Sequence, residues 1–212
     1  MKYIVQTLPY EVFKEADKIN KLFQMGLDVL HIRKPLYSRK EIKQLLLDID
    51  EEFHSKIVLH SHFSLLASFH LQGIHLDLSS VKNIFKKSFY SFLKRRYNIS
   101  ISISSNKILK NKFEDSFIDY IFLGPVFVKY SEESIVQKIN AFEFKKYLQE
   151  TDKKIFASGC FSLKNIIAIN SLGFSGSVLQ SYIWKSDDIL NAFKTLTLNN
   201  NQEFIETKEI AI

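Results

Sequence analysis

An imidazole and two cations fall within four positions of one short run. The segment Val29 to Tyr37, VLHIRKPLY, is apolar at first and then ends in His31, Arg33 and Lys34 before Pro35. An imidazole exchanges protons near neutral pH, and cations beside it can hold a phosphate group. More imidazoles, His60, His62 and His75, stand at the ends of two further apolar runs. Three converging imidazoles can bind zinc, although histidines at such places are more often simply hydrogen-bonded. The chain has neither an HExxH helix nor a cysteine cluster, so the sequence assigns no metal ligands. Cys160, the one cysteine, reads as a small packing residue rather than a nucleophile.

The rest of the chain must position these groups. Its 212 residues suit one domain or a single α/β barrel, and 46% hydrophobic and 25% charged residues are ordinary for a globular protein. No run approaches the ~18 apolar residues of a membrane span. The first residues, MKYIVQTLPYEVFKEADK, lack a secretory pattern, and a lone cysteine fits a reducing compartment, so the expected location is the cytoplasm. The net charge of +6 suits a phosphate-bearing substrate or a nucleic acid. The densest basic stretch, Lys82 to Tyr97, reads as an amphipathic helix with its Phe residues inward and its Lys and Arg residues in water. Neither nucleic acid nor membrane is therefore an expected partner.

Short β-rich runs alternate with helical patterns. Strands are expected over Tyr3 to Thr7, Val29 to Ile32, Lys56 to His60, Gly73 to Leu76, Asn98 to Ile103, Tyr120 to Leu123, Lys154 to Ala157 and Ser177 to Leu179. Helices are expected over Glu11 to Met25, from Ser38 to about Glu52, over Ser64 to Leu71, Asn106 to Phe117, Ala141 to Glu150, Leu163 to Leu172 and Asp187 to Leu198. Ser38 followed by Glu41 forms a capping box, and a loop is expected from Phe127 to Ile139. Eight such repeats make an α/β fold of the (β/α)8 TIM barrel type. A doubly wound sheet is disfavoured, because the turn after the first strand, TLPYE, has no glycine. The expected organisation is one barrel over residues 1–198 and a loosely held tail over 199–212.

A barrel of this kind works at the C-terminal ends of its strands. Those ends carry His31, Arg33 and Lys34, then His60, Ser61 and His62, then His75 and Asp77, then Ser102, Ser104 and Asn106. Gly124, Pro125, Lys129 and Ser131 follow, then Ser158, Gly159 and Cys160, and finally Gln180 and Ser181. Hydroxyls, imidazoles and cations dominate, which suits an anion. The segments ASGC (157–160) and SVLQS (177–181) sit where barrels commonly bind phosphate. Gly159 would allow close backbone approach, and Ser181 would cap a short helix.

The motifs LHIRKP (30–35), GIHLDL (73–78), SISISSN (100–106), DYIFLGPVF (119–127), ASGC (157–160) and GFSGSVLQS (173–181) occur in a characteristic order. In that order and spacing the chain resembles the thiamine phosphate synthase and thiazole tautomerase superfamily over about residues 1–196. The resemblance implies a TIM barrel that joins hydroxymethylpyrimidine diphosphate to thiazole phosphate, with Mg2+, and releases pyrophosphate. It implies that Arg33 holds the pyrophosphate. Lys34 stands one place before the family lysine, whose position is taken by Pro35, and His31 stands where the synthase has a pyrimidine-binding glutamine. It further implies that Ser104 contacts phosphate, and that Ser158, Gly159, Gln180 and Ser181 cradle the thiazole phosphate. Ser131 keeps the hydroxyl of the loop after the sixth strand, and Lys129 stands in for the loop's lysine, since Glu132 occupies that position.

The metal-binding Asn-Asp pair reads His60-Ser61 here, and the second metal aspartate reads Ser80, with Asp77 nearby. The catalytic histidine of the tautomerase branch reads Asn106. Two expectations follow. The first is a synthase-like transferase with Arg33, Lys34 and Lys129 as charge-stabilising groups and Mg2+ as the cofactor to test. The alternative is a metal-independent relative that keeps the phosphate pocket, as a tautomerase-like enzyme or a phosphate-ligand-binding protein. Small phosphorylated molecules are the expected partners, and a homodimer is the assembly to test.

Overall fold

The computed structural model describes residues 2–81, 84–104, 116–129, 135–137, 145, 148, 151–160 and 162–198. Most of the helix expected over Asn106 to Phe117, most of that over Ala141 to Glu150, and the tail from residue 199 lie outside the described residues, as does Ser131.

Eight parallel strands close into a barrel: β1 (Lys2–Gln6), β2 (Val29–Ile32), β3 (Ile57–Leu59), β4 (Gly73–Leu76), β5 (Asn98–Ser104), β6 (Tyr120–Gly124), β9 (Lys154–Ala157) and β10 (Gly176–Leu179). Each strand pairs with its neighbours in chain order, and β10 returns to β1, with Ile4 opposite Val178. The barrel expected from the repeat count is present. The strands β7 (Phe127–Lys129) and β8 (Ile135–Gln137) form an antiparallel hairpin beside it, where the sequence suggested only a loop. The alternation in FVK and IVQ is long enough to pair but too short to stand out against neighbouring charges.

Around the barrel lie α1 (Glu15–Gln24), α2 (Arg39–Asp48), α3 (Leu78–Val81), α4 (Ile84–Leu93), α5 (Leu163–Ser171), α6 (Ser181–Trp184) and α7 (189–198). The Ser38–Glu41 capping box opens α2 as expected, with both reciprocal bonds made. The helix expected over Ser64 to Leu71 is instead a single 3-10 turn, Phe63–Leu65, bracketed by left-handed His62 and His70. On α4, Tyr90 is buried but Phe89 and Phe92 are 57% and 64% exposed, so the basic helix does not turn all its Phe residues inward. Leu93 packs against the core beside Tyr90, and the guanidinium of Arg95 covers the Phe92 ring.

Side chains alternate across each strand. Outward residues such as Leu30, Ile32, Ile99, Ile101, Ile103, Ile121 and Leu123 join Ile19, Leu22, Leu46, Ile166 and Phe193 in the main core. Inward, Ile4, Tyr120, Phe122, Phe156 and Val178 form a second, enclosed apolar cluster with Val29 against it. That cluster is the floor of the barrel's open end.

Closure leaves no room for a side chain at two strand starts. A Cβ on Gly176 would lie 2.1 Å from the Lys2 carbonyl oxygen and 2.8 Å from the Phe156 ring, and one on Gly73 would lie 2.0 Å from the Asn98 carbonyl oxygen. Gly26, after α1, has φ of +96° with nothing within 4 Å of an added Cβ. Gly176→Ala is therefore expected at the upper end of the ~1–3 kcal/mol overpacking range or beyond it. Gly26→Ala, where only the left-handed backbone resists, should cost about 1 kcal/mol. Urea denaturation of both variants checks the order, and equal losses would refute the closure argument.

Candidate active site

Period-two alternation delivers His31 of β2, His60 just past β3, His75 of β4, and Ser100 and Ser102 of β5 into the upper barrel. His31 is fully buried, its Nδ1 3.0 Å from His60 Nε2 and its Nε2 2.8 Å from the Tyr120 hydroxyl. The His60 and His75 rings stack at 4.2 Å, and the Phe122 ring centre lies 4.6 Å from that of His31 and 4.8 Å from that of His75. His75 Nδ1 is 2.9 Å from Ser100 Oγ, which donates to the Ile74 carbonyl, and Nε2 is 2.8 Å from Ser102 Oγ. Because Ser100 commits its proton to Ile74, it accepts from His75 Nδ1–H. His75 Nε2 is then the lone-pair nitrogen, held by the hydroxyl of exposed Ser102.

All three imidazoles are held neutral. Burial pushes His31 and His60 well below the usual imidazole range, helped by the neighbouring imidazoles and, for His60, by Arg33. His75 is lowered to about 3 by burial and by the Arg33 charge. The Tyr120 hydroxyl is pushed the other way by burial and stays protonated. Cys160, raised to about 12 by burial, is a packing group as expected.

Arg33 is exposed at the end of β2. Its backbone is clamped by Thr7, whose Oγ1 accepts from Arg33 N–H at 2.9 Å and donates to Arg33 O at 3.3 Å. Gln180 Nε2 donates to the Thr7 carbonyl at 2.9 Å, and Trp184 Nε1 donates to the Gln6 carbonyl at 2.8 Å. The ends of β1, β2 and β10 are thus tied together beneath the guanidinium.

Lys34 faces the opposite way. It is 1% exposed, pairs with Glu15 at 2.7 Å, donates to the Tyr10 carbonyl and lies 5.1 Å from the Tyr37 ring centre. Strand parity separates it from Arg33 and directs it to the start of α1 rather than to the mouth. Burial raises the Glu15 pKa against the opposing pull of Lys34, and Glu15 Oε1 has no hydrogen-bond partner.

At the far side, Ser158 Oγ donates to the Leu123 carbonyl at 3.2 Å, and the Ser158 carbonyl accepts from Val126 N–H at 2.8 Å. Gly159 has φ of +84°, and a Cβ there would lie 2.8 Å from Pro125 Cβ, so its missing side chain admits the segment after β6. Ser181 is the first residue of α6 rather than its cap; Gln180 takes the cap position, its side chain spent on Thr7. Ser104 is exposed at the end of β5, opposite Gly124. Lys129 ends β7. His62 leaves the cluster, its Nε2–H donating to the Tyr37 carbonyl at 2.8 Å. Of the expected substrate residues the structure brings His31 and His60 together. Ser102 was expected at the rim; Thr7, Ser100 and Tyr120 were not expected at the site, although the alternation in SISIS and the shared parity of His31 and Arg33 carried a signal for them.

A polar mouth over an aromatic floor, in a closed (β/α)8 barrel, defines the class. The family model described as thiamine monophosphate synthase matches residues 4–183, and the chain belongs to that family. The solved thiamine phosphate pyrophosphorylase from Bacteroides thetaiotaomicron is 31% identical, covers 93% of this chain and 96% of its own, and superposes with a TM-score of 0.73. Thiamine phosphate pyrophosphorylase from Pyrococcus furiosus is 14% identical over 92% and 93% of the two chains, with a TM-score of 0.73. (S)-3-O-geranylgeranylglyceryl phosphate synthase from Thermoplasma acidophilum shares the fold at 10% identity over 92% and 91%, with a TM-score of 0.65. Among curated protein sequences, none matches.

The family commonly uses Mg2+. That ion takes oxygen ligands in near-octahedral geometry and is usually held through one or two carboxylates. Here His60 offers an imidazole nitrogen bonded to His31, and the adjacent Ser61 offers at most a hydroxyl. These residues do not fit Mg2+, and no step is derived through it.

Two outcomes follow. The folded-state pKa values of His31, His60 and His75 lie below the unfolded value near 6.5, so the unfolded chain takes up protons first. Their stabilisation is present above about pH 6.5 and is lost as pH falls from there through the folded-state value of each, which is about 3 for His75. Urea midpoints in chelating buffer between pH 8 and 4 measure this, and His75→Gln should flatten the slope. Second, Lys34→Met should cost about 3–5 kcal/mol by stranding buried Glu15, and Lys34→Met with Glu15→Gln should recover most of it. A full-stability Lys34→Met protein would overturn the structural role.

Proposed function

We propose that this protein couples hydroxymethylpyrimidine diphosphate to thiazole phosphate, giving thiamine phosphate and pyrophosphate. The bond from the pyrimidine methylene carbon to the diphosphate oxygen breaks, and the thiazole nitrogen lone pair forms the new carbon–nitrogen bond. Negative charge develops on the departing diphosphate and positive charge on the methylene carbon. The reading rests on one observation above others. An exposed guanidinium, that of Arg33, carried on a backbone clamped by Thr7, stands beside a buried set of neutral imidazoles and aromatic rings.

Arg33 is the group that stabilises the diphosphate as it leaves, since its clamped backbone keeps a cation at the mouth where the charge forms. His31 and His60 take the pyrimidine, whose ring nitrogens and amino group match imidazole donors and acceptors, with the Phe122 ring beside His31. Ser104, Lys129 and Ser131 contact the diphosphate, and the ends of β9 and β10, through Ser158, Gly159, Gln180 and Ser181, take the thiazole phosphate. Lys34 acts indirectly, by fixing the loop between β1 and α1. The reading assigns the protein to the cytoplasm.

The poor match to Mg2+ favours one second reading, a relative that binds thiazole phosphate without coupling. A coupling assay on the full chain, followed by detection of thiamine phosphate, separates the two. Turnover is expected, with Arg33→Gln lowering kcat/KM by about 100- to 1,000-fold. Folded protein that makes no thiamine phosphate with any divalent ion, yet binds thiazole phosphate unless Ser181 is replaced by Ala, would install the second reading.

A further inference from the structure

We propose that His31, His60 and His75 form a binding site for a divalent transition ion of the zinc class. The inference rests on the geometry of the cluster and not on the coupling reaction, and a bound ion would compete with the direct pyrimidine contacts of His31 and His60 proposed above.

One ring nitrogen from each of the three lies within 4.8 Å of the other two. Tetrahedral zinc with bonds of about 2.0–2.1 Å holds its donors about 3.3–3.4 Å apart. His31 Nδ1 and His60 Nε2, now 3.0 Å apart, need only open by a few tenths of an ångström. The third nitrogen must draw in by up to about 1.4 Å, within reach of side-chain rotation. Its present partner at the mouth, Ser102, is exposed, so releasing that hydroxyl to water costs little.

Two of the three remaining nitrogens already have partners of the kind that hold metal-bound imidazoles in place. His31 Nε2 meets the Tyr120 hydroxyl at 2.8 Å, and His75 Nδ1 meets Ser100, itself anchored on the Ile74 carbonyl. Such outer contacts fix the tautomer and ring plane of a ligating histidine. Burial keeps all three rings in the unprotonated form that binds metal. Three imidazoles from the protein and a fourth position open to the mouth is the arrangement of a catalytic zinc rather than a structural one. Imidazole donors select zinc, cobalt, nickel or copper over Mg2+. The Arg33 charge opposes a bare ion, so an anion such as phosphate is the expected fourth ligand.

The test is titration of the metal-free full chain with Co2+ as a visible probe, followed by competition with Zn2+. One equivalent should bind with the absorption of a four-coordinate ion. Zn2+ should displace it, and a hundredfold excess of Mg2+ should not. His60→Gln, which keeps volume and hydrogen bonding, and His75→Ala should each weaken binding by about 100-fold or more, since losing a ligand exceeds losing an outer partner. His62→Ala, outside the cluster, should leave it unchanged. Thermal melts verify that each variant is folded, and Zn2+ should raise the midpoint of the wild type and of His62→Ala but not of His60→Gln or His75→Ala. Folded wild-type protein that takes up no stoichiometric Co2+ or Zn2+ would overturn the proposal. So would unchanged affinity in His60→Gln, or loss in His62→Ala equal to that in His60→Gln. None of these readings requires turnover, so a failed coupling assay and a failed metal site remain distinguishable.

Discussion

Closing eight parallel strands creates a tube that must be filled from within by every second side chain. The rest of this structure depends on how that filling is divided. Ile4, Tyr120, Phe122, Phe156 and Val178 plug the lower interior with apolar and aromatic groups. The imidazoles sit directly on that plug, cut off from water below and flanked by other strands. An unpaired buried polar group would cost several kcal/mol there, so each imidazole is driven to bond with its neighbours. The His31–His60 contact, the Tyr120 hydroxyl and the two serines of β5 are the consequence. Their neutrality has the same origin, because charging any of them would place a cation against phenyl rings and beside Arg33.

Strand parity also divides the two cations that stand side by side in the sequence. Arg33 shares the inward parity of His31 and emerges at the mouth; Lys34, one position on, points behind the strand. There it meets Glu15 in the first turn of α1. A buried pair of this kind adds little net stability but is expensive to break, so it fixes geometry more than it strengthens the fold. It ties the start of α1 to the end of β2, while Thr7 ties the end of β1 to Arg33. The backbone position of Arg33 is therefore set from two sides, by Thr7 on β1 and through the Lys34–Glu15 pair behind the strand.

Much of this was legible from residue order. The eight strand runs, their parallel succession and the Ser38–Glu41 cap follow from local periodicity, which depends on near neighbours alone. The β7–β8 hairpin was not legible, because three-residue strands carry too few alternations to register. Of the three imidazoles weighed as converging, His60, His62 and His75, the structure brings His60 and His75 together. His62 adopts a left-handed backbone and turns to Tyr37, whereas His31, read only as a pyrimidine contact, takes its place. Which imidazoles meet depends on barrel closure and on one local φ angle, and neither is written in spacing. Gln180 and Ser181 lay at the expected strand end, but the cap fell to Gln180 because its side chain reaches the carbonyl of Thr7 on the adjacent strand.

Family membership and local chemistry can diverge for the same reason. The fold is set by the outward faces and the floor, which are apolar and interchangeable within volume limits. The mouth is set by a handful of inward positions that the fold does not constrain. Replacing an Asn-Asp pair by His60-Ser61 removes a negative charge and hard oxygen donors without disturbing a single strand pairing. The mouth left behind is more positive, since Arg33 faces neutral rings instead of a carboxylate. A phosphorylated ligand then gains attraction directly from the protein that it would otherwise gain through Mg2+. What is lost is the bridging of two phosphate oxygens by one ion, a task that a guanidinium can perform only in its own plane. The same replacement that weakens the case for Mg2+ thus strengthens the case for an anion held by Arg33.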